Sequence, residues 1–487
     1  MARLTYSNLP DGVPVPGYGR FDGTSWIVHI GPGNFHRAHQ GFYLDALRNA
    51  GDVEWGMRSV GVRPGDAPRL GALARQEGLY TIRETATDGT VTHRVSGAIA
   101  DVNRPDDWQQ VLDWLSDPAT RIVTLTVTEG GYYADPRTGA FLADDPAVAA
   151  EWRNGEPQTV FGYLVRALAR RREAGVEPFT LLSCDNVLGN GHAARAALVG
   201  FAQAWDKKLA KWISSEVATP SSMVDGITPA AKPADLAAVA EALGVEDEAV
   251  VTCEPFRQWV VEDHFPTGRP RWEDVGVELV SDVAPYEHMK LRMLNAGHQV
   301  LGHLGRLAGL DYVHEACLDP DFGGVLEAFW RDEAQPVCPP VPVDLVEYCR
   351  VLRSRFSNEG IADTVERIVA YASDRIPGFV LPTVADNLQK GGPVEAAALV
   401  VAAWAAGLRG VDEQGRELAV VDDRRDELLK VVRHGTDIPL ALLDHPQLAA
   451  VGADQRFRTA FVDAFESLSQ HGVRGAARAL LAGKESV

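Results

Sequence analysis

Between Glu287 and His298 the chain reads Glu287-His-Met-Lys290-Leu-Arg-Met-Leu-Asn295-Ala-Gly-His298, placing a carboxylate, an amine, a carboxamide and an imidazole in one helical segment. At about 100° per residue, Glu287, Lys290, Asn295 and His298 fall within an arc of about 140°. Leu291 and Leu294 lie in the same arc, so the polar groups share a partly apolar surface. Polar groups on a buried surface need partners or a chemical task. Two readings follow. The helix is capped and satisfied by its neighbours, or it carries a proton-transfer site centred on a desolvated lysine.

A second chemical element stands near the start. Trp26-Ile-Val-His-Ile30 has strand character and ends at Gly31-Pro-Gly33-Asn34-Phe35-His36, after which Phe35 to Arg48 reads as a helix. Glycines at such a turn allow close backbone approach, and a following helix start favours a pyrophosphate. The third glycine of a full dinucleotide fingerprint is replaced by His36, so the motif draws its weight from its strand-turn-helix-strand context. Gly31, Gly33, Asn34, Phe35 and His36 are the candidate cofactor contacts. After the second strand, Met57 to Val62, Asp66 is placed to bond a ribose hydroxyl and favour NAD, while Arg63 could accommodate a 2′-phosphate; a solvated turn is the alternative. NAD is the expected cofactor, with NADP left open. His36 and His39 could be read as a metal pair. No carboxylate or cysteine at ligand spacing supports that, so cofactor or packing contacts are expected and no metal.

Hydride transfer from an alcohol needs a base for the hydroxyl proton, donors for the developing alkoxide and a nicotinamide held over the carbinol carbon. Without a zinc ligand set, side chains must do this work. Lys290 suits the base if burial lowers its pKa, and Asn295 and His298 stand on the same helix as donors.

The elements that must position these groups follow from the rest of the chain. At 487 residues, two domains are expected, with an ordinary soluble composition of 46% hydrophobic and 23% charged residues. A formal charge of −20 opposes nucleic acid and anionic membrane surfaces as partners. The first residues lack a signal-peptide core, the apolar run Ala396 to Leu408 is too short to span a bilayer, and five scattered cysteines show no paired spacing. These features read as cytoplasmic.

Further strand candidates are Arg121 to Thr128, ending at Glu129-Gly-Gly131, and Pro178 to Ser183, ending at Cys184-Asp-Asn186. They alternate with helices such as Val160 to Ala174, which predicts a mostly parallel sheet covered on both faces. From Tyr286 onward the segments read as helices: 286–308, 322–333, 343–356, 364–371, 393–408 and 457–471. Four prolines between Pro336 and Pro342 predict an extended connector. The fold class is therefore α/β, with a Rossmann-type dinucleotide-binding domain over residues 1–285 and a mainly helical domain over 286–487. Ligands commonly sit in interdomain clefts.

Several ordered motifs carry a resemblance over nearly the whole chain. They are Gly31-Pro-Gly-Asn-Phe-His-Arg-Ala-His39, Thr126-Val-Thr-Glu-Gly-Gly-Tyr132, Ser183-Cys-Asp-Asn186, Cys253-Glu-Pro-Phe-Arg-Gln-Trp-Val260 and Lys290-x4-Asn295-x2-His298. Together they resemble the polyol-specific long-chain dehydrogenases, the family of mannitol 2-dehydrogenase and fructuronate reductase. The resemblance implies Lys290 as general base in alcohol oxidation and acid in ketone reduction. It implies Asn186 and Asn295 as the pair stabilising the alkoxide, and His298 as the group orienting the reacting hydroxyl. Glu129 and Glu287 would relay the lysine proton to solvent. Asp225 would contact polyol hydroxyls, and Arg367 and Arg375 would line the distal substrate end. Simpler roles remain open: Asp225 could cap a turn before Pro229, and Arg367 could pair with Glu366 or Asp363 at the surface.

The chain departs from the family pattern at three places. Gly226 stands where arginine is common after the aspartate, Gly65 where a second acidic residue often precedes Asp66, and Ala-Ser-Asp replaces Asp-Gly-Ser before Arg375. The first and third bear on the substrate, the second on the cofactor. The resemblance implies metal-independent, NAD-dependent interconversion of a sugar alcohol and its ketose, first D-mannitol and D-fructose. Fructuronate reduction and D-arabinitol oxidation are runners-up, and a catalytically inactive NAD-binding regulatory protein is the reading from another class. The resemblance admits a monomer.

Overall fold

The structure is a computed structural model that describes residues 1–487 apart from 136–138, 155, 434–439 and 485–487. Two compact units divide the chain, Met1–Ala86 with Thr90–Ala284 and Pro285–Val487 with Thr87–Gly89.

In the first unit five parallel strands form the main sheet: β1 (Ser25–Ile30), β2 (Trp55–Val60), β3 (Ile99–Val102), β4 (Thr120–Leu125) and β5 (Thr180–Ser183). Their order is β3-β2-β1-β4-β5, as expected for a Rossmann-type domain. Every residue of β1 is buried, which a central strand covered on both faces requires. Its side chains alternate between two cores. Val28 and Ile30 join Val123, Leu125 and Leu181 beneath the helices Trp108–Ser116, Val160–Glu173 and Asn190–Trp205. Ile27 joins Met57, Ile122 and Leu182 against Tyr43, Leu44, Trp259 and Trp272 on the other face. The chain runs outward from β1 through β2 and β3, then returns to place β4 on β1's other side. That reversal opens a crevice at the carboxyl ends of β1 and β4, where sheets of this kind bind ligands.

Two smaller mixed sheets were not foreseen. One orders Val251–Cys253, Tyr80–Thr85 and Val91–Ser96; the other orders Glu278–Val280, Gln258–Glu262 and Ser222–Asp225. Each contains an antiparallel pair. The helix expected from Phe35 to Arg48 is two helices, Asn34–Ala38 and Gln40–Asn49, because His39 (φ −117°, ψ −86°) leaves helical geometry between them.

The second unit is helical, as expected. Ala396–Ala405, the heart of the long apolar run, is entirely buried in the helix Glu395–Gly407, between Ala296–Leu307 and Gln455–Lys484. A helix apolar all round needs such cover, and among the described residues no helix is long and apolar enough to cross a membrane. The expected proline connector begins instead with a 3-10 turn, Gln335–Val337, since a proline fits the first turn of a helix. Three helices widen into a π turn: at Leu291–Asn295, Phe329–Ala334 and Ile376–Val380. The first of these turns packs against both others.

Candidate active site

The turn after β1 is built around Gly31. Its φ is +106°, and a methyl there would stand 2.2 Å from the carbonyl oxygen of Thr126, so only glycine fits. Gly33 differs, with ordinary φ and no atom nearer than 3.8 Å to an added methyl, so space beside the turn stays open. The Gly31 carbonyl accepts from His29 Nε2 at 2.9 Å and from the Thr126 hydroxyl at 2.8 Å, while His29 Nδ1 meets the Thr124 hydroxyl at 2.7 Å. A buried imidazole on β1 thus holds the turn from below, a role that sequence reading missed because His29 lay inside an apolar run.

His36 was expected among the cofactor contacts, but its ring lies in the core. It is fully buried, stacks on His29 with ring centroids 3.3 Å apart and reaches Ser59 Oγ at 3.1 Å. Only its main chain remains for a ligand. His39 is likewise engaged, with Nε2 at 2.9 Å from the Gln258 carbonyl. Asn34 accepts from Arg37 at 2.7 Å, and Phe35 stacks on His39.

Burial holds the His29 imidazole at a pKa of about 3, that of His303 at about 3, and that of His36 well below its ordinary value. These rings stay neutral in the folded chain below pH 6.5, where the unfolded chain takes up protons. Folded pKa values below the unfolded one mean that stability is complete above pH 6.5 and lost as pH falls. Each ring contributes about 1.4 kcal/mol per pH unit. Lowering the pH from 7.5 to 5.5 therefore costs about 4 kcal/mol from the three rings, visible as a falling melting temperature. A melting temperature that is flat across that range would contradict the burial of these rings.

Beyond β2, Asp66 accepts the Arg63 main-chain N–H at 3.1 Å and so caps its own turn. Arg63 directs its guanidinium to the Val127 carbonyl, 3.0 Å away.

The loops after β4 and β5 are joined. Asp185 accepts the Thr128 N–H at 2.7 Å and the Tyr132 hydroxyl at 2.7 Å. Burial raises the Asp185 carboxyl, while those two bonds pull it down. Thr128 takes φ +64°, ψ 167°, a region that is essentially glycine's and costs about 1–3 kcal/mol for another residue. Next to these two residues stand Glu129 and Asn186, both exposed. Asp225 closes the strand Ser222–Asp225, opposite Gln258, and is buried. At Gly226 an added methyl would have only ordinary contacts, the nearest at 3.5 Å, so packing does not impose glycine there.

In the second unit Lys290 ends the α-helix Ala284–Lys290, and the π turn Leu291–Asn295 follows before the helix Ala296–Leu307. A π turn holds about one residue more than an α turn, so everything beyond it is set back by about 100°. The arc of Glu287, Lys290, Asn295 and His298 thereby narrows from about 140° to about 80°. The widened turn is held from outside. Trp330 Nε1 donates to the Met293 carbonyl at 2.9 Å, and Arg292 bonds the Val337 carbonyl at 2.8 Å and Asp386 at 2.6 Å. Lys290 and Glu287 are buried, at 8% and 7% exposure. His298 packs on Phe356, with ring centroids 4.5 Å apart. Asn295 Oδ1 is buried with no hydrogen-bond partner among the described residues, as are Gln299 Oε1 and His303 Nε2 one and two turns further along. Sequence reading missed the last two, although their four-residue spacing from Asn295 was visible.

Arg367 gives its guanidinium to Asp363 in a bidentate pair, at 2.6 and 2.5 Å, which is the simpler of its two expected roles. Arg375 bonds the carbonyls of Arg367 and Ile368 at 2.9 and 2.8 Å, tying the two arginine-bearing segments together.

Residues 25–274 match the family model described as the mannitol dehydrogenase Rossmann domain, and residues 282–469 match the mannitol dehydrogenase C-terminal domain. Mannitol 2-dehydrogenase of Aspergillus terreus is 39% identical over 95% of this chain and 94% of its own. The protein of that name from Cereibacter sphaeroides is 40% identical over 96% of this chain and 98% of its own. Among solved structures, Pseudomonas fluorescens mannitol 2-dehydrogenase in ternary complex with NAD and D-mannitol matches with a TM-score of 0.86 at 40% identity, covering 98% of this chain and 99% of that one. A D-sorbitol dehydrogenase in substrate-free form matches with a TM-score of 0.91 at 35% identity, covering 98% and 100%. With both domain models matched in order and nearly the full length shared with these relatives, the chain belongs to the mannitol dehydrogenase family.

Proposed function

We propose that this protein is an NAD-dependent polyol dehydrogenase that interconverts D-mannitol and D-fructose without a metal, using Lys290 as general acid and base. One observation carries the reading. A buried lysine shares a narrowed helix arc with His298 and with a carboxamide whose Oδ1 has no partner among the described residues. The glycine turn fits a dinucleotide, because Gly31 makes the tight turn and Gly33 leaves the adjoining space open. Gly31, Gly33, Asn34 and Phe35 would hold the pyrophosphate side and Asp66 the ribose. Arg63, committed to the Val127 carbonyl, does not turn towards a 2′-phosphate, which favours NAD. When bound, the nicotinamide supplies or accepts the hydride.

Lys290 takes the hydroxyl proton in oxidation and returns it in reduction. Asn186 and Asn295 donate to the oxygen that gains charge, and His298 orients that oxygen. Glu287 and Glu129 pass the lysine proton to solvent, while Asp225 and Arg375 recognise the remaining hydroxyls. Among the described residues no three His, Cys, Asp or Glu side chains gather to hold a metal ion. Full activity after exhaustive chelation is expected; loss of activity that zinc restores would overturn the metal-free mechanism.

D-sorbitol is the second reading, favoured by the likeness to a sorbitol dehydrogenase. A uronate is less favoured, since Arg367 already spends both arms of its guanidinium on Asp363. The test is a kinetic panel of mannitol, sorbitol, arabinitol, fructose and fructuronate with the NAD and NADP forms. The highest kcat/KM is expected for mannitol or fructose with the NAD form. A higher value for sorbitol supports the second reading, and NADH binding without turnover of any of them overturns both.

A further inference from the structure

We propose that Asp185 is a positioning residue of the reaction: its buried carboxylate clamps the loops after β4 and β5 and so sets where Glu129 and Asn186 stand. The inference rests on the roles given to those two residues above. β4 and β5 are neighbours in register, Leu125 opposite Ser183, and the ladder continues with Cys184 N–H donating to the Leu125 carbonyl at 2.8 Å. Asp185 thus emerges beside the segment that leads to Thr128.

Each polar group of Asp185 is used. Oδ1 accepts the Thr128 N–H at 2.7 Å and Oδ2 accepts the Tyr132 hydroxyl at 2.7 Å. The Tyr132 oxygen meets Ser183 Oγ at 2.6 Å, and Ser183 Oγ accepts the Asp185 N–H at 3.3 Å. The Asp185 carbonyl accepts from Asn190 Nδ2 at 3.0 Å, and Asn190 is itself bonded to the Ser222 N–H at 2.9 Å and the Ser222 carbonyl at 2.7 Å. Tyr132, Ser183, Asp185 and Asn190 are all buried. The clamp therefore reaches from β5 to the strand that ends in Asp225.

What the clamp holds is an unfavourable backbone. Thr128 is β-branched yet sits at φ +64°, ψ 167°. Thr128, Glu129 and Gly130 are exposed, so the core does not need this conformation. The strained conformation persists because a charged acceptor bonds the Thr128 N–H, and its effect is to direct the residue that follows, Glu129. On the partner loop the same carboxylate is the side chain immediately before Asn186.

The test compares Asp185→Asn, which keeps the size but removes the charge, with Asp185→Ala and Glu129→Gln, alone and combined. Asp185→Ala is expected to lower kcat about 30-fold, within what a misplacement of about an ångström costs, with NADH affinity changed by no more than about twofold. In the Glu129→Gln background, Asp185→Asn should lower kcat less than it does in the wild type, because part of its effect passes through Glu129. Thr128→Gly removes the opposing strain and is expected to restore kcat to Asp185→Asn by about threefold or more. That rescue would not be seen if the carboxylate served folding alone. Wild-type kcat in folded Asp185→Asn and Asp185→Ala overturns the proposal, as does strict additivity without rescue. If Glu129→Gln keeps wild-type kcat while Asp185→Asn loses it and Thr128→Gly restores it, the role of Glu129 fails and the clamp stands, acting through Asn186.

Discussion

Lys290→Ala is expected to lower kcat for both polyol oxidation and ketose reduction by about three orders of magnitude, in the middle of the range for a deleted general acid–base. The side chain is 8% exposed and leaves the helix immediately before the π turn. NADH affinity, read by fluorescence titration, should stay within about twofold, because the glycine turn is unaltered. Both directions should fall together, since one group gives and takes the same proton. Small primary amines added to Lys290→Ala should recover part of the rate, as the truncated chain leaves room for a soluble base. Activity within about tenfold of wild type, or recovery indifferent to the amine, would place the proton on another residue.

A second large effect is expected at the glycine turn, where two neighbouring glycines should behave in opposite ways. Gly31→Ala forces a Cβ to within 2.2 Å of the Thr126 carbonyl at φ +106°. Backbone strain of about 1–3 kcal/mol and overpacking of similar size predict a loss of about 2–6 kcal/mol in stability. NADH binding should fall with it, because moving Gly31 away from Thr126 also shifts the Gly31 carbonyl that His29 and the Thr126 hydroxyl hold. Gly33→Ala meets nothing nearer than 3.8 Å and has ordinary φ, so stability should hold or rise by up to about 1 kcal/mol. Its NADH affinity should nevertheless fall at least about tenfold, because the methyl occupies the open side of the turn where the pyrophosphate would approach. Melting curves and NADH titrations of the two variants decide the matter. If Gly33→Ala binds NADH like the wild type, the dinucleotide does not lie against this turn.

Much of the frame was legible from residue types alone. Short apolar or β-branched runs marked β1, β2, β4 and β5, those of β1 and β4 ending at glycine turns, because a buried parallel strand needs apolar residues on both faces. The run of helical segments from Tyr286 onward marked the helical unit. The strands Tyr80–Thr85 and Val91–Ser96 escaped notice because arginine, histidine and threonine interrupt any apolar run there. Asp185 was in view inside Ser183-Cys-Asp-Asn186, but nothing in the residue order said that its carboxylate would reach the Thr128 amide, which lies far away along the chain.

The order of chemical groups from Glu287 to His298, the glycine turn and the succession of a strand-rich and a helix-rich half are properties of the amino-acid sequence by itself. They depend on local rules: which residues keep a period, which turn a corner and which ionise. The tertiary structure alone decided the narrowing of the Lys290 arc, the inward turn of His36, the commitment of Arg367 to Asp363 and the strained Thr128. Three arise from partners remote in sequence: Trp330 on the Met293 carbonyl, Ser59 on the His36 ring, Asp185 on the Thr128 amide. Even Arg367, whose partner is four residues away, had alternatives that only packing could separate. A hydrogen bond chooses among local conformations that differ by only a few kcal/mol, and no local pattern records which choice was made.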